Sequence, residues 1–178
     1  MNHTKLTNDL SWAMRSEIAG TVAPAQLAQC FEQLARAVHR SVDAVPYDPL
    51  VMADPLGLSP AWIIGHLALL TRSVLESFGG VAAGKLPAGF SNTFGPGRDG
   101  SEVHDVPENL IELFDGEVEA LSAFLRFASP SLLSETPRHD DFGLLALMPH
   151  DSLRSHAAAA IRYAGIYVME LSMLCNSL

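Results

Sequence analysis

The sequence predicts an all-α protein, a four-helix bundle with one long crossover connection between its second and third helices. Three observations predict it. Apolar residues recur at three- and four-residue steps through most of the chain, prolines and glycines fall where those runs begin and end, and no sustained alternating run of β-branched residues marks a strand. The 178 residues suit a single domain spanning 1–178. A composition that is 48% hydrophobic and 17% charged can fill a core and argues against disorder.

Each element follows from its own punctuation. A short helix over 10–18 is expected near the N-terminus. Pro24 opens the first long helix, in which Leu27, Phe31, Leu34, Ala35, Val38 and Val42 share a face, and which ends before Pro46. Ser59 and Pro60 form an N-cap and first-turn pair for a second helix over 61–78, stopped by Gly79 and Gly80. Pro107 and Glu108 start a third, carried by Leu110, Leu113, Phe114, Val118, Leu121 and Leu125 up to Ser129 and Pro130. The fourth begins near Asp151 and runs almost to the end through Leu153, Ala157, Ile161, Ala164, Val168 and Leu171. The stretch 79–106, rich in Gly, Pro and Ser, is long enough to cross the bundle instead of turning back as a hairpin.

Charge and targeting narrow the setting. Eleven Lys plus Arg against twenty Asp plus Glu leave a formal charge of −9, so the basic footprint that phosphate-backbone binding needs is missing, and nucleic acid is not an expected partner. Residues 1–10 carry no apolar run of signal-peptide length, and His66, Arg72, Arg162 and Glu170 interrupt the apolar stretches. That pattern leads to the expectation of a cytoplasmic protein with no membrane partner. The two cysteines, Cys30 and Cys175, lie in helical patterns without CxxC or Cys/His spacing and read as buried thiols.

Candidate chemistry centres on His66, which falls on the inward side of the second helix, opposite Ala68, Arg72 and Glu76. Its neighbour Gly65 costs about 1 kcal/mol relative to Ala inside a helix, which implies a close approach by another helix or a ligand. Gly165 is the matching small residue of the last helix. If those two helices cross there, His66 faces the stretch with His156, Ala159, Ala160 and Tyr163. For His156 a solvent or carboxylate contact near the helix start is an equal alternative. His139, Asp140 and Asp141, with His104 and Asp105, have the donor types for a cation but sit in polar connectors where solvated charge suffices. The segment Gly95-Pro96-Gly97-Arg98-Asp99-Gly100 matches GxGxxG without the preceding strand and following helix that a dinucleotide site requires. No GxSxG, HExxH or P-loop motif is present.

The string Leu58-Ser59-Pro60-Ala61-Trp62-Ile63-Ile64-Gly65-His66-Leu67-Ala68 resembles the second-helix signature of the DinB/YfiT-like superfamily. The loop from Leu86 to Phe94-Gly95 and the last-helix Tyr163-Ala164-Gly165-Ile166 extend the resemblance over about 24–175. It implies a bundle with a long crossover, often dimeric. It also implies a nickel or zinc ion held by one histidine of the second helix and two of the last, serving thiol-dependent transferases or isomerases in some members. His66 fits the first ligand. Aligning the last-helix motif on Gly165 puts Ala159 and Tyr163 in the other two positions, and sliding it to His156 brings Ala160 into the second, so the triad is broken in either frame. The expectation is therefore no cofactor, with a divalent nickel or zinc ion at His66 and His156 as the alternative.

Three functions follow as expectations. The first is a small-molecule site between the second and fourth helices, lined by Trp62, His66, Leu69, His156, Ala160 and Tyr163, with the tyrosine hydroxyl bonded to His66 in place of the metal. The second is a metal-dependent thiol transferase, isomerase or hydrolase using His66 and non-standard ligands. The third is a non-catalytic interaction module. Ile161, Ile166, Tyr167, Val168, Met169 and Met173 cannot all face one core, which with the resemblance leads to the expectation of a homodimer.

Overall fold

The computed structural model describes residues 22–43, 45–46, 50–52, 58–98, 109–147 and 152–177. Among them the chain is all-α, with no strand. The long helices are α1 (Pro24–Val42), α2 (Pro60–Ser77), α4 (Leu110–Phe127) and α5 (Leu153–Ser177); α3 (Phe90–Phe94) is a single short turn, and 3-10 turns occupy Leu132–Ser134 and Leu144–Leu147. The expected helix over 10–18, Pro107, Glu108 and the His104–Asp105 pair lie outside the described residues.

Local chemistry starts each helix. Pro24 sets the first turn of α1, and the Gln26 side chain accepts from the Ala23 backbone N–H at 2.8 Å. Ser59 Oγ accepts from Trp62 N–H at 3.1 Å, satisfying one orphan donor at the head of α2. Ser152 Oγ accepts from Ser155 N–H at 3.2 Å ahead of α5. At the other end of α2, Gly79 takes a left-handed φ of 82° that lets Gly80 N–H reach Leu75 O at 3.0 Å.

Side-chain pairs give the directions of the helices. Arg72 meets Glu117 and Phe78 meets Phe124, so α2 and α4 run parallel. His39 meets Asp115 and Glu32 meets Arg126, so α1 and α4 are antiparallel. His66 meets Tyr163 and Ser77 meets His156, so α2 and α5 are antiparallel. Both α1 and α2 pack on α4 and α5. Because α4 repeats the direction of α2, the chain between them must return to its starting end. Arg72 donates to Gly84 O, and farther along Trp62 Nε1 donates to Thr93 O at 3.1 Å, tracing that return along α2.

The result is a central α2 in which every residue except Arg72 and Glu76 is buried. Those two belong to the face that the helical period sets opposite His66. Phe31, Trp62, Ile63, Leu70, Leu75, Leu121 and Leu125 fill the core, each contributing about 1.5–3 kcal/mol on burial. Arg72 and the buried Glu117 form a part-buried ion pair at 2.7 Å between α2 and α4. The α5 helix is long and apolar enough to cross a membrane by length and composition, and 44% of its most apolar window is buried against the rest of the fold. Ile161 and Val168 are buried there, while Ile166, Met169 and Met173 are 50%, 48% and 71% exposed.

Candidate functional site

His66 sits in the second turn of α2, 1% exposed, and both ring nitrogens have partners. Nδ1 lies 2.7 Å from Phe94 O. A carbonyl only accepts, so Nδ1 carries the proton. Nε2 lies 2.9 Å from Tyr163 Oη. Burial pushes His66 below its usual range, against a smaller upward pull from the Phe94 carbonyl, which favours the neutral ring with Nε2 as acceptor. The Tyr163 hydroxyl faces two acceptors, Nε2 at 2.9 Å and Tyr167 Oη at 3.3 Å, and the shorter contact is the one to His66. A polar chain results, linking Tyr167, Tyr163, His66 and Phe94 O.

Aromatic rings enclose the imidazole. The Trp62 indole stacks on it at 4.5 Å and 17°, Phe142 presents an edge at 5.2 Å, and Tyr167 and Tyr163 lean in at 4.9 and 5.7 Å. Phe142, Tyr163 and Tyr167 are half-buried, so their outer edges reach solvent. Gly65 makes room for this arrangement: a Cβ there would fall 2.3 Å from the Phe94 ring. The close approach expected at Gly65 therefore occurs, with the short helix α3 of the 79–106 stretch as the partner.

The donor set around His66 does not fit a metal. Nδ1–H bonded to a carbonyl is the usual way to aim Nε2 at a cation, but the group facing Nε2 is a phenol. Burial, then Tyr167 and Glu170, raise the Tyr163 pKa, which keeps it protonated. Among the described residues no cluster of three or more His, Cys, Asp or Glu side chains could hold a metal ion. Ala159, in the remaining ligand position implied by the resemblance, is buried and offers no donor.

The structure brings Trp62, His66 and Tyr163 together and places the other expected residues elsewhere. Leu69 and Ala160 belong to the apolar core. His156 is fully buried and bonded to Ser77 Oγ at 3.0 Å through Nδ1 and to Asp140 Oδ1 at 3.2 Å through Nε2. Ser77 follows His66 by eleven residues on α2, about 16 Å along the axis. His66 and His156 therefore do not face one another between α2 and α5, which corrects the shared metal pair and the single pocket containing both. The carboxylate contact considered for His156 is the one observed. It is made by Asp140 of the His139-Asp140-Asp141 run, whose Asp141 accepts from Ser73 Oγ at 3.3 Å.

Ser77, His156 and Asp140 have the connectivity of a nucleophile, base and acid, but the serine is 1% exposed and its Oγ also lies 2.7 Å from Val74 O. No substrate reaches it, and the arrangement is a tie between α2, α5 and the chain before α5. The thiols are no better nucleophiles: burial pushes Cys30 up to about 12 and raises Cys175. Two hollows lie away from His66, one of about 460 Å³ between α1 and α4 over Ala35, Val118 and Ser122 and one of about 420 Å³ beside Arg72, Lys85 and Phe90. Sequence reasoning missed Phe142 and Tyr167. Tyr167 was signalled by its position four residues after Tyr163 on the same helix face; nothing in the sequence signalled Phe142.

Comparison with family models, with curated proteins and with solved structures gives no match.

Proposed function

We propose that this chain is a DinB-like four-helix bundle in which a tyrosine replaces the metal centre, and that it binds a small apolar or amphipathic molecule at the aromatic surface over His66. The observation that carries the reading is the 2.9 Å contact between His66 Nε2 and Tyr163 Oη. A hydroxyl takes the lone pair that a metal would need, while the parallel run of α2 and α4 supports the crossover topology. Phe142, Tyr163 and Tyr167 supply apolar contact area, and Tyr167 Oη, next to Tyr163, offers a hydroxyl to a polar group of the ligand. The protein is cytoplasmic in this reading.

A metal inventory by mass spectrometry on untagged protein, before and after incubation with nickel, zinc and manganese, tests the first half. No metal retained through dialysis is the expected result; one equivalent retained in the parent and lost in His66→Ala overturns it. The second half is tested with 1-anilinonaphthalene-8-sulfonate, an amphipathic aromatic probe. Saturable fluorescence enhancement weakened by Tyr163→Phe and His66→Ala is expected, and enhancement indifferent to both substitutions removes this site as the binding surface.

A second reading, a homodimer through α5, is favoured by the exposed stripe of Ile166, Met169 and Met173, three and seven residues apart on one helix face. Light scattering at low protein concentration tests it, with a dimer expected and a monodisperse monomer refuting it.

A further inference from the structure

We propose that Ser77, His156 and Asp140 form a latch that positions Phe142 as the removable wall of the His66 site. This rests on the proposed ligand surface over His66. Among the described residues, Phe142 is the one ring around His66 that does not belong to a long helix: Trp62 is on α2, and Tyr163 and Tyr167 are on α5. It lies in the connection before α5, where, over 138–144, Arg138, Asp141 and Gly143 are exposed, His139, Asp140 and Phe142 are half-buried, and Leu144 is buried. Apolar burial alone gives such a strap little hold.

Polar ties supply the hold. Arg138 N–H donates to Ser77 O at 3.2 Å, Ser73 Oγ donates to Asp141 Oδ2 at 3.3 Å, and the ring of His156 spans Ser77 Oγ and Asp140 Oδ1 at 3.0 and 3.2 Å. The same Asp140 oxygen accepts from Leu144 N–H at 2.8 Å, and Asp140 O accepts from Gly143 N–H at 3.1 Å. Gly143 has a φ of 63°, a turn conformation that suits glycine. Phe142 is therefore bracketed by a turn closed on both sides by one aspartate, and that aspartate is held by a fully buried histidine. This geometry sets the Phe142 ring 5.2 Å from the His66 ring and 6.2 Å from that of Tyr163. Ser77, His156 and Asp140 act on the site through the place they give Phe142; they are positioning residues.

The test is acylation by diethyl pyrocarbonate, which attacks the neutral imidazole, mapped by peptide mass spectrometry on the full chain. His39, on α1 with its partner Asp115 on α4, serves as the internal reference. Phe142→Ala and Asp140→Ala are each expected to raise the His66 acylation rate about tenfold, as removal of a charge-assisted tie raises the open population, with the His39 rate and the helical circular dichroism unchanged. A His66 rate unaltered by Asp140→Ala overturns the proposal. If Asp140→Ala accelerates both histidines and loses helical signal, the chain has unfolded, and Asp140→Asn then decides by the same two criteria. The assay needs neither ligand nor metal, so failure of the anilinonaphthalene test removes the ligand surface and leaves the latch standing, whereas an unchanged His66 rate removes the latch alone.

Discussion

Gly65 and Phe94 are fitted to one another: the Phe94 ring occupies the space a Cβ at Gly65 would need, 2.3 Å from its nearest ring carbon, and the Phe94 carbonyl holds His66 Nδ1 at 2.7 Å. The glycine therefore orients the neighbouring histidine through a residue of the crossover. Gly65→Ala gains about 1 kcal/mol of helix propensity, but it displaces the crossover and strains bonds to Phe94 and Thr93. A net loss of about 1–3 kcal/mol is expected, measured by urea denaturation; an alanine variant more stable than the parent contradicts the fit.

Tyr163→Phe removes the donor to His66 Nε2 and leaves a buried acceptor unpaired. The expected cost is about 1–3 kcal/mol. Tyr167→Phe, farther along the chain of hydroxyls and half-buried, should cost less. Denaturation midpoints of the two variants check the order, and equal losses would show that the bond to His66 carries no more than the Tyr163–Tyr167 contact.

Stability should fall on mild acidification. Burial lowers the pKa of His66 below its ordinary 6.5, and it is the largest influence on His156, outweighing the upward pull of Asp140. Between that ordinary value and each lowered one the unfolded chain binds more protons than the folded chain, so stability is fully present above pH 6.5 and declines as pH drops toward the folded pKa values. Urea midpoints at stepwise lower pH measure this. The decline should shrink in His66→Gln, and a profile identical to the parent's would assign the proton uptake elsewhere.

The Arg72 and Glu117 side chains are 15% and 3% exposed and 2.7 Å apart. Glu117→Ala removes the carboxylate from a half-buried guanidinium that keeps Gly84 O as an acceptor and should cost about 1–3 kcal/mol, whereas the double substitution Arg72→Met with Glu117→Leu should cost less. Thermal unfolding of the parent, these two variants and the single variants Arg72→Met and Glu117→Leu tests this, and additive single losses in the double variant would deny the coupling.

Much of this architecture was legible from local pattern. Pro24, Ser59-Pro60 and Gly79-Gly80 punctuate helices that form where they predict, because a first-turn proline, a capping hydroxyl and a left-handed glycine act within a few residues of their own position. The inward side of His66 and the outward lean of Arg72 and Glu76 follow from the 3.6-residue period in the same way. Tyr163 could be paired with His66 because a single helix crossing joins them.

Other relationships depend on where the chain returns in space. For His156 the pattern leaves a place opposite His66 and a carboxylate contact equally open, and antiparallel packing decides for the second, setting it beside Ser77 and Asp140, about three helical turns from His66 along α2. The glycine at 65 announced a close neighbour without naming it, since steric vacancy is a local property and its occupant, Phe94, arrives from the crossover 29 residues later. Phe142 carries no local signal at all. Its place over His66 is set by Asp140 and His156, groups whose charge and hydrogen bonding have no periodicity to read, and which acquire a role only when helix packing excludes water and brings them to one another. Periodicity and capping thus determined the helices and the buried face of each, because both act over a turn or two; the choice of partner for every polar group in the core waited on the long-range packing that removed the alternatives.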